Sequence, residues 1–238
     1  MLLRESMATT ALLYDVHGNL PALNAVLDDA RQAGATEFLL GGDYALFGAW
    51  PEETVAALRQ LQPATWIRGN GERWTADAAQ ASDDDVVQGA IEACRGALGE
   101  ALTAELAGLQ EATVINGTRY VHGSPISDVR SFAPKPDGAE EDEELLAGVT
   151  ERRLVFGHTH LPFRRGGPGG VELINPGSVG MPFDGDPRAA YALLYDGDRL
   201  EHRRVPYDYE ASAEAVRERF NNAGWTETVA RRIATAQF

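Results

Sequence analysis

Thr9-Thr10-Ala11-Leu12-Leu13-Tyr14-Asp15-Val16-His17-Gly18-Asn19 is the stretch that decides the fold. Thr9–Tyr14 is a short apolar run that ends at a polar cluster, as a buried strand does. A helix is predicted over Pro21–Ala33, where Leu23, Val26, Leu27 and Ala30 recur at helical spacing. Pro21 suits its first turn and Gly34 its left-handed stop. Working outward, the pattern repeats. Phe38–Leu40 is a second strand, ending in Gly41-Gly42-Asp43, and Glu52–Leu61 a second helix, entered through Trp50-Pro51. Thr65–Arg68 is a third strand, ending in Gly69-Asn70-Gly71. Strand–helix–strand–helix–strand is the order of a layered α/β fold.

Beyond Arg73 the pattern changes. Thr75–Leu109 is rich in Ala and Leu and reads as helix, interrupted by Gly89, Gly96 and Gly99. Strands then dominate: Ala112–Ile115, Arg119–Val121, Arg153–Phe156, Val171–Ile174 and Ala189–Tyr195. Asp196-Gly197-Asp198 is a hairpin signal leading into Arg199–Val205. Ala211–Phe220 and Thr226–Ala236 read as two closing helices around Gly224. Pro134–Glu144 is Pro-, Gly- and acid-rich and reads as a solvated loop, with a cover near a site as the sharper alternative. No repeat or linker divides residues 1–238, so one domain is expected.

The chain has 238 residues, 44% of them hydrophobic, and a formal charge of −15. A chain of this size buries about 70% of its surface on folding, enough for a large core. A field of this sign repels nucleic-acid backbone and anionic membrane, so no duplex nucleic acid binding and no membrane association are expected. One cysteine, Cys94, excludes an internal disulfide framework and a four-cysteine zinc module. No apolar run approaches the ~20 residues of a membrane span, and the N-terminal stretch is too short for a signal peptide. Met7 is a candidate start, since it leads straight into the first strand. A cytoplasmic location is expected.

The chemistry gathers at strand ends. Four of the five histidines, His17, His122, His158 and His160, lie in or just after predicted strand ends, beside Gly or Asp. Asp15 and His17 are two residues apart, as are His158 and His160, and on an extended strand end each pair points one way. Asp43 follows Gly41-Gly42, Asn70 follows Gly69, and His122 precedes Gly123. Loops at the carboxyl ends of strands are where α/β sheets place their sites. Buried Asp and His are costly unless they bind something. Four nitrogens and three oxygens are too many for one tetrahedral zinc. They suit two divalent ions sharing a carboxylate. His202, beside Arg203 and Arg204, reads as an ordinary packed or surface residue.

The series DVHGN, GGDY, RGNGE, VHGSP, VFGHTH and INPGSVG, from Asp15 to Gly180, resembles the calcineurin-like metallophosphoesterases, and most closely their small bacterial and archaeal phosphodiesterase-type branch. The resemblance implies a four-layer α/β/β/α sandwich of two mixed sheets flanked by helices. It implies Asp15, His17, Asp43 and His160 on a first ion and Asp43, Asn70, His122 and His158 on a second, with Asp43 as the bridge. It implies two divalent ions, Mn²⁺ foremost and Fe, Zn, Ni or Co as alternatives. It assigns the catalytic work to Asp43, Asn70, His122 and His158 around a hydroxide that bridges the ions. The expected activity is hydrolysis of small-molecule phosphodiesters. Phosphomonoesterase, protein phosphatase and a non-catalytic interaction scaffold of the same fold are the alternatives, and the oligomeric state stays open.

One departure matters. The family commonly has a His after the Asn, as the proton donor to the leaving group, and here Gly71 stands in its place. A proton donor at this step is worth 10²–10⁴-fold. Leaving groups that depart with little help are therefore expected, or an acid supplied from elsewhere, with His202 a remote candidate. Gly71→His is expected to restore the acid, with Glu72 free to orient it, unless Gly71 holds a positive φ. Asn19 reads as a ligand support or a helix cap. Asn175–Ser178 reads as a turn behind the His158–His160 loop. Arg73, Arg164 and Arg165 are candidate phosphate partners, and Tyr44, Phe47 and Trp50 a candidate aromatic wall. Tyr14 stands where relatives have a smaller residue and gives no reading.

Overall fold

The computed structural model describes residues 8–135 and 139–238. Met7, and the Pro136–Gly138 part of the acid-rich segment, lie outside them.

Two five-stranded sheets form the centre. The first runs β10-β9-β1-β2-β3, with β1 Thr9–Leu13, β2 Glu37–Leu40, β3 Ala64–Trp66, β9 Ala189–Tyr195 and β10 Arg199–Val205. The second runs β4-β5-β6-β8-β7, with β4 Ala112–Ile115, β5 Thr118–Val121, β6 Arg153–Val155, β7 Phe163–Gly166 and β8 Glu172–Asn175. Both sheets are mixed. β1–β2–β3 and β5–β6–β8 pair parallel, and their outer neighbours pair antiparallel.

The period of two residues along each strand builds the layers. In β1, Ala11 and Leu13 face a large core under the helices, whereas Leu12 and the following Tyr14 face the second sheet. β2 sends Phe38 and Leu40 to the helices and Leu39 between the sheets. On the other side Tyr120, Val155 and Ile174 point inward, and Val121, Leu154 and Leu173 point outward. The central strands β1, β2, β6, β8 and β9 read as nearly continuous apolar runs because both faces are covered.

The outer layer on the first sheet comprises α1 Leu20–Gln32, α2 Pro51–Leu58, α4 Asp85–Ala107, α6 Tyr209–Arg219 and α7 Gly224–Thr235. Asn19 caps α1, its side-chain oxygen accepting from the Ala22 N–H at 3.3 Å, and its NH₂ donates to the Gly180 carbonyl at 2.8 Å. On the second sheet the cover is thinner: Phe132 and Leu146 with α5, Ala139–Leu145. The four-layer α/β/β/α sandwich is therefore present, with unequal outer layers.

Three expectations are corrected here. Thr75–Leu109 is not one helix. It divides into α3 Asn70–Ala76, a 3-10 turn at Ala78–Gln80 and α4, and α4 breaks at Gly99, whose φ is +72°. The acid-rich segment is not wholly loop, since α5 begins at Ala139 within it, and Arg165 draws in Asp142 at 2.6 Å. β7 has no apolar run to announce it, because Phe163-Arg164-Arg165-Gly166 is an edge strand with charged side chains. Among the described residues no helix is long and apolar enough to cross a membrane.

Candidate metal centre

All seven predicted donors come together at the carboxyl ends of β1, β2, β3, β5 and β6. Asp15 and His17 follow β1, Asp43 follows β2, Asn70 opens α3 after β3, His122 follows β5, and His158 and His160 follow β6. Six are buried and His158 is half-buried.

They do not stand on extended strand ends. Asp15, His17, Asp43, His158 and His160 have φ of 53°, 49°, 57°, 68° and 58°. This left-handed region is uncommon for residues with a Cβ, and such strain clusters at functional sites. Each loop reverses at the residue that carries the donor, so the side chain is thrown inward as the strand ends. The loops brace one another. The N–H groups of Asp15 and His17 donate to the carbonyls of Gly42 and Asp43, at 3.1 and 2.9 Å. Gly157 is required beside them, because a Cβ there would lie 2.6 Å from both Asp15 Oδ2 and the Tyr14 ring. Tyr14 itself fills the space between the sheets.

Three backbone carbonyls fix the imidazoles. His17 Nδ1 lies 2.9 Å from the Leu46 carbonyl, His122 Nδ1 2.9 Å from Gly41, and His160 Nδ1 2.6 Å from Met181. A carbonyl only accepts, so each Nδ1 is the donor and each Nε2 presents a lone pair inward. His17 Nε2 and His160 Nε2 are 3.0 Å apart, lone pair to lone pair. The Asn70 side-chain NH₂ donates to His122 Nε2 at 2.9 Å and to His158 Nδ1 at 2.8 Å, and the amide presents its oxygen there once it turns over. Asp15 Oδ1 is buried without a hydrogen-bond partner. It lies 3.5 Å from His160 Nε2, 3.9 Å from His122 Nε2 and 4.0 Å from His17 Nε2. Asp43 turns one oxygen to each side, Oδ2 3.8 Å from His17 Nε2 and Oδ1 3.5 Å from His122 Nε2. The His17 and His160 lone pairs and the Asp15 and Asp43 oxygens are all acceptors, and cations among them would turn this convergence into coordination. The donor set therefore fits divalent metal ions, with Asp15, His17 and His160 grouped on one side and Asp15, Asp43 and His122 on the other.

The protonation of the metal-free site follows. Burial pushes His17 down to about 3 and His158 down to about 4, so both are neutral donors at pH 7. Burial pushes Asp43 up to about 7, with Glu72 and Asp15 adding to the rise. His122 is raised despite its burial, by the carboxylates of Asp43 and Asp15. Asp15 is lowered despite its burial, by His160, His122 and His17.

Glu72 has a different role from the one expected. Its carboxylate accepts the N–H groups of Asp43 and Gly69 through Oε2, at 2.9 and 2.8 Å, and that of Tyr44 through Oε1, at 2.8 Å. It anchors the Asp43 loop and is not free to orient an imidazole. Gly71 is helical within α3, not at positive φ. Its N–H donates to Asp43 Oδ1 at 2.7 Å, and a Cβ would lie 2.9 Å from that oxygen.

The arginine candidates are all engaged elsewhere: Arg73 with Asp128 at 2.6 Å, Arg164 with Glu172, and Arg165 with Asp142. Of the aromatic candidates only Phe47 reaches the site, 5.6 Å from His17 ring to ring. Tyr44 is buried with its hydroxyl on the Leu40 and Ile67 carbonyls, and Trp50 packs against the core. His202 is held by the Asn175 carbonyl at 2.8 Å. Ser178 donates to the Asp15 carbonyl at 2.7 Å, and Asn175 donates to the Gly157 carbonyl at 3.1 Å. Their turn is support, as expected. Trp74, Phe183 and Arg232 border the site and were not legible as site residues, being far in sequence from any donor motif.

The model for the calcineurin-like phosphoesterase superfamily domain matches residues 9–198. The chain belongs to that superfamily. Its activity class is thus metal-dependent hydrolysis of phosphoric esters. It is similar to a metallophosphoesterase from Sphaerobacter thermophilus, whose crystal structure superposes with a TM-score of 0.78 at 28% identity, covering 96% of this chain and 99% of that one. The crystal structure of a hypothetical protein from Pyrococcus horikoshii shares the fold, with a TM-score of 0.83 at 18% identity, covering 97% of this chain and 100% of that one. An uncharacterised protein of Methanocaldococcus jannaschii is 28% identical over 235 residues, 87% of this chain and 90% of that protein.

In this phosphoesterase, metal loading is expected to release protons. Below about pH 7 the metal-free site holds a proton on Asp43, and His122, raised above the ordinary imidazole range by the neighbouring carboxylates, also takes one as pH falls; these protons must leave before either can donate. Calorimetric Mn²⁺ titrations in buffers of different ionisation enthalpy should show about one to two protons released near pH 6, and fewer near pH 8.5. Apparent affinity falls as pH drops through 7. Equal release at both pH values would remove Asp43 and His122 from the donor set.

Proposed function

We propose that the chain is a phosphodiesterase working at a two-ion centre held by Asp15, His17, Asp43, Asn70, His122, His158 and His160, with Asp43 shared. The observation that carries this is the convergence of three tautomer-fixed Nε2 atoms and the carboxylates of Asp15 and Asp43 on a buried space, with the Asn70 amide beside His122 and His158. Divalent ions held there, with Mn²⁺ the first choice, would supply positive charge to a phosphoryl group and acidify water near neutral pH. The chain contributes fixed geometry. The carbonyls of Leu46, Gly41 and Met181 keep the imidazoles aimed, and Glu72 keeps Asp43 between the two halves. Preorganised groups of this kind need no rearrangement as charge develops. We take residues 1–238 as one domain, acting in the cytoplasm on small-molecule esters.

Preference for diesters is supported by the space outside the donors. A cavity of about 910 Å³, walled by Phe47, Trp74, Leu161, Met181 and Phe183, opens onto His17, Asp43 and His158. It has room for two ester substituents. Nothing at position 71 delivers a proton to the leaving group, and His158, pushed down to about 4, is neutral. The rate should therefore depend steeply on leaving-group pKa. The test is a series of aryl and alkyl diesters, with mono-aryl phosphate for comparison, at fixed Mn²⁺. Activity should vanish on chelation and return with Mn²⁺. A flat dependence would mean that another group delivers the proton, and faster turnover of the monoester would make the chain a phosphomonoesterase. Gly71→His should not rescue poor leaving groups, because its Cβ presses on Asp43 and Glu72 is already committed.

A further inference from the structure

The cavity beside the donors contains a cation that the mechanism above does not use. Arg232, on α7, is half-buried and lines the same cavity as His17, Asp43, Asn70, His158 and His160. Its Nε is buried with no hydrogen-bond partner. Among the described residues the guanidinium makes no ion pair. The other arginine on this cavity, Arg130, is taken by Glu144 through two contacts of 2.7 and 3.0 Å. The carboxylates of Asp43, Asp84 and Glu141 line the cavity, and none forms an ion pair with Arg232, although the charge of Asp84 acts on it. Asp84 caps α4, accepting the Val86 and Val87 N–H groups at 2.9 and 3.2 Å, and Asp43 is turned to the donors.

The guanidinium is nevertheless held in place. Its Cζ lies 4.2 Å from the centroid of the Phe238 ring, Phe238 meets Phe183 edge-on at 5.4 Å, and Phe183 stacks on His160 at 4.4 Å and 13°. A continuous line of rings joins Arg232 to a donor of the metal centre. Removing a guanidinium from water without an anion to meet it is unfavourable. In a chain with a formal charge of −15, acceptors for it are plentiful, so leaving it unpaired in this one cavity points to an acceptor that arrives with the substrate.

We propose that Arg232 binds a second anionic group of the substrate, apart from the scissile phosphoryl, and that the preferred substrate class is an aromatic phosphodiester carrying a second negative charge. The inference rests on the phosphodiesterase function proposed above. The metal centre takes the phosphoryl group, the apolar walls take the ring, and the planar fork of Arg232 takes a carboxylate or phosphate bidentately.

The test uses two diesters with one leaving group: 4-nitrophenyl 4-carboxyphenyl phosphate and 4-nitrophenyl 4-methylphenyl phosphate, with the Mn²⁺-loaded chain. Wild type should favour the carboxylated ester in kcat/KM by on the order of tenfold or more, the range of a charge-assisted hydrogen bond. Arg232→Met should bring that ratio close to one, and Arg232→Lys should keep part of it. A wild-type ratio near one, or a ratio that survives Arg232→Met, overturns the proposal. Thermal unfolding separates binding from a structural role. Losing an unpaired half-buried cation should leave the midpoint of Arg232→Met unchanged or raised, and a drop of several degrees would assign Arg232 to stability and overturn the proposal. If neither ester is hydrolysed, the phosphodiesterase function fails by itself. Calorimetric binding of the matching inert aryl phosphonates, carboxylated against methylated, then decides the role of Arg232 by the same ratio.

Discussion

Asp43→Asn should lower kcat/KM for an aryl phosphodiester by on the order of 10³-fold, about 4 kcal/mol of transition-state stabilisation, and reduce bound metal to at most one ion per chain. The shape of the site survives this change. An asparagine oxygen can still accept the Gly71 N–H now 2.7 Å from Oδ1. What is lost is the negative charge and the oxygen on the His17 side, 3.8 Å from Nε2. An amide NH₂ there donates to the lone pair of His17 and occupies it. The metal-free variant should be as stable as wild type or more so, because burial of the Asp43 carboxylate is unfavourable enough to push it up to about 7. Activity and stability thus move in opposite directions, as they do at sites strained for function. Unchanged activity with both ions retained would remove Asp43 from the shared position.

Glu72→Ala should be the most destabilising single change near the site. It strips the acceptor from three N–H groups, those of Asp43, Tyr44 and Gly69, around a buried carboxylate. Each orphaned donor costs about 1–3 kcal/mol, or roughly 5 kcal/mol together, and at about 2–4 °C per kcal/mol the midpoint should fall by more than 10 °C. Glu72→Gln keeps one accepting oxygen and should recover part of the loss. Calorimetry on the metal-free chain is the measurement. A fall of under 2 °C for Glu72→Ala would show that water or another group satisfies these donors.

The central strands were legible because they are buried on both faces, and β10 because a turn signal precedes it. Ala189–Tyr195 and Arg199–Val205 are where the apolar run and the Asp-Gly turn place them. The order of the sheets was not legible from spacing, because β9 returns from far along the chain to pair with β1. The resemblance carried the two-sheet architecture and not the strand order. Edge strand β7 stayed hidden because Arg164 and Arg165 look like surface. The seven side chains that converge were legible as types at strand ends, but their backbone was not. Nothing in Asp15-Val16-His17 announces two left-handed residues, since the conformation is imposed by pairing with the Gly42–Tyr44 loop. Glu72 shows the same limit. Its type fits a partner to a catalytic imidazole, and only the folded geometry reveals it as an anchor for backbone amides. Arg232 has no local motif, and its position depends on the packing of α7 beside the site.

The central claim is that one chain holds two divalent ions between these seven side chains. The most direct measurement is metal content per chain by mass spectrometry after complete chelation, reloading with Mn²⁺ and removal of free ion. The expected value is close to two for wild type, falling to about one in Asn70→Ala and in His160→Ala separately, because each removes a donor from a different ion. A wild-type value of one, unchanged in one of the two variants, would contradict the two-ion centre.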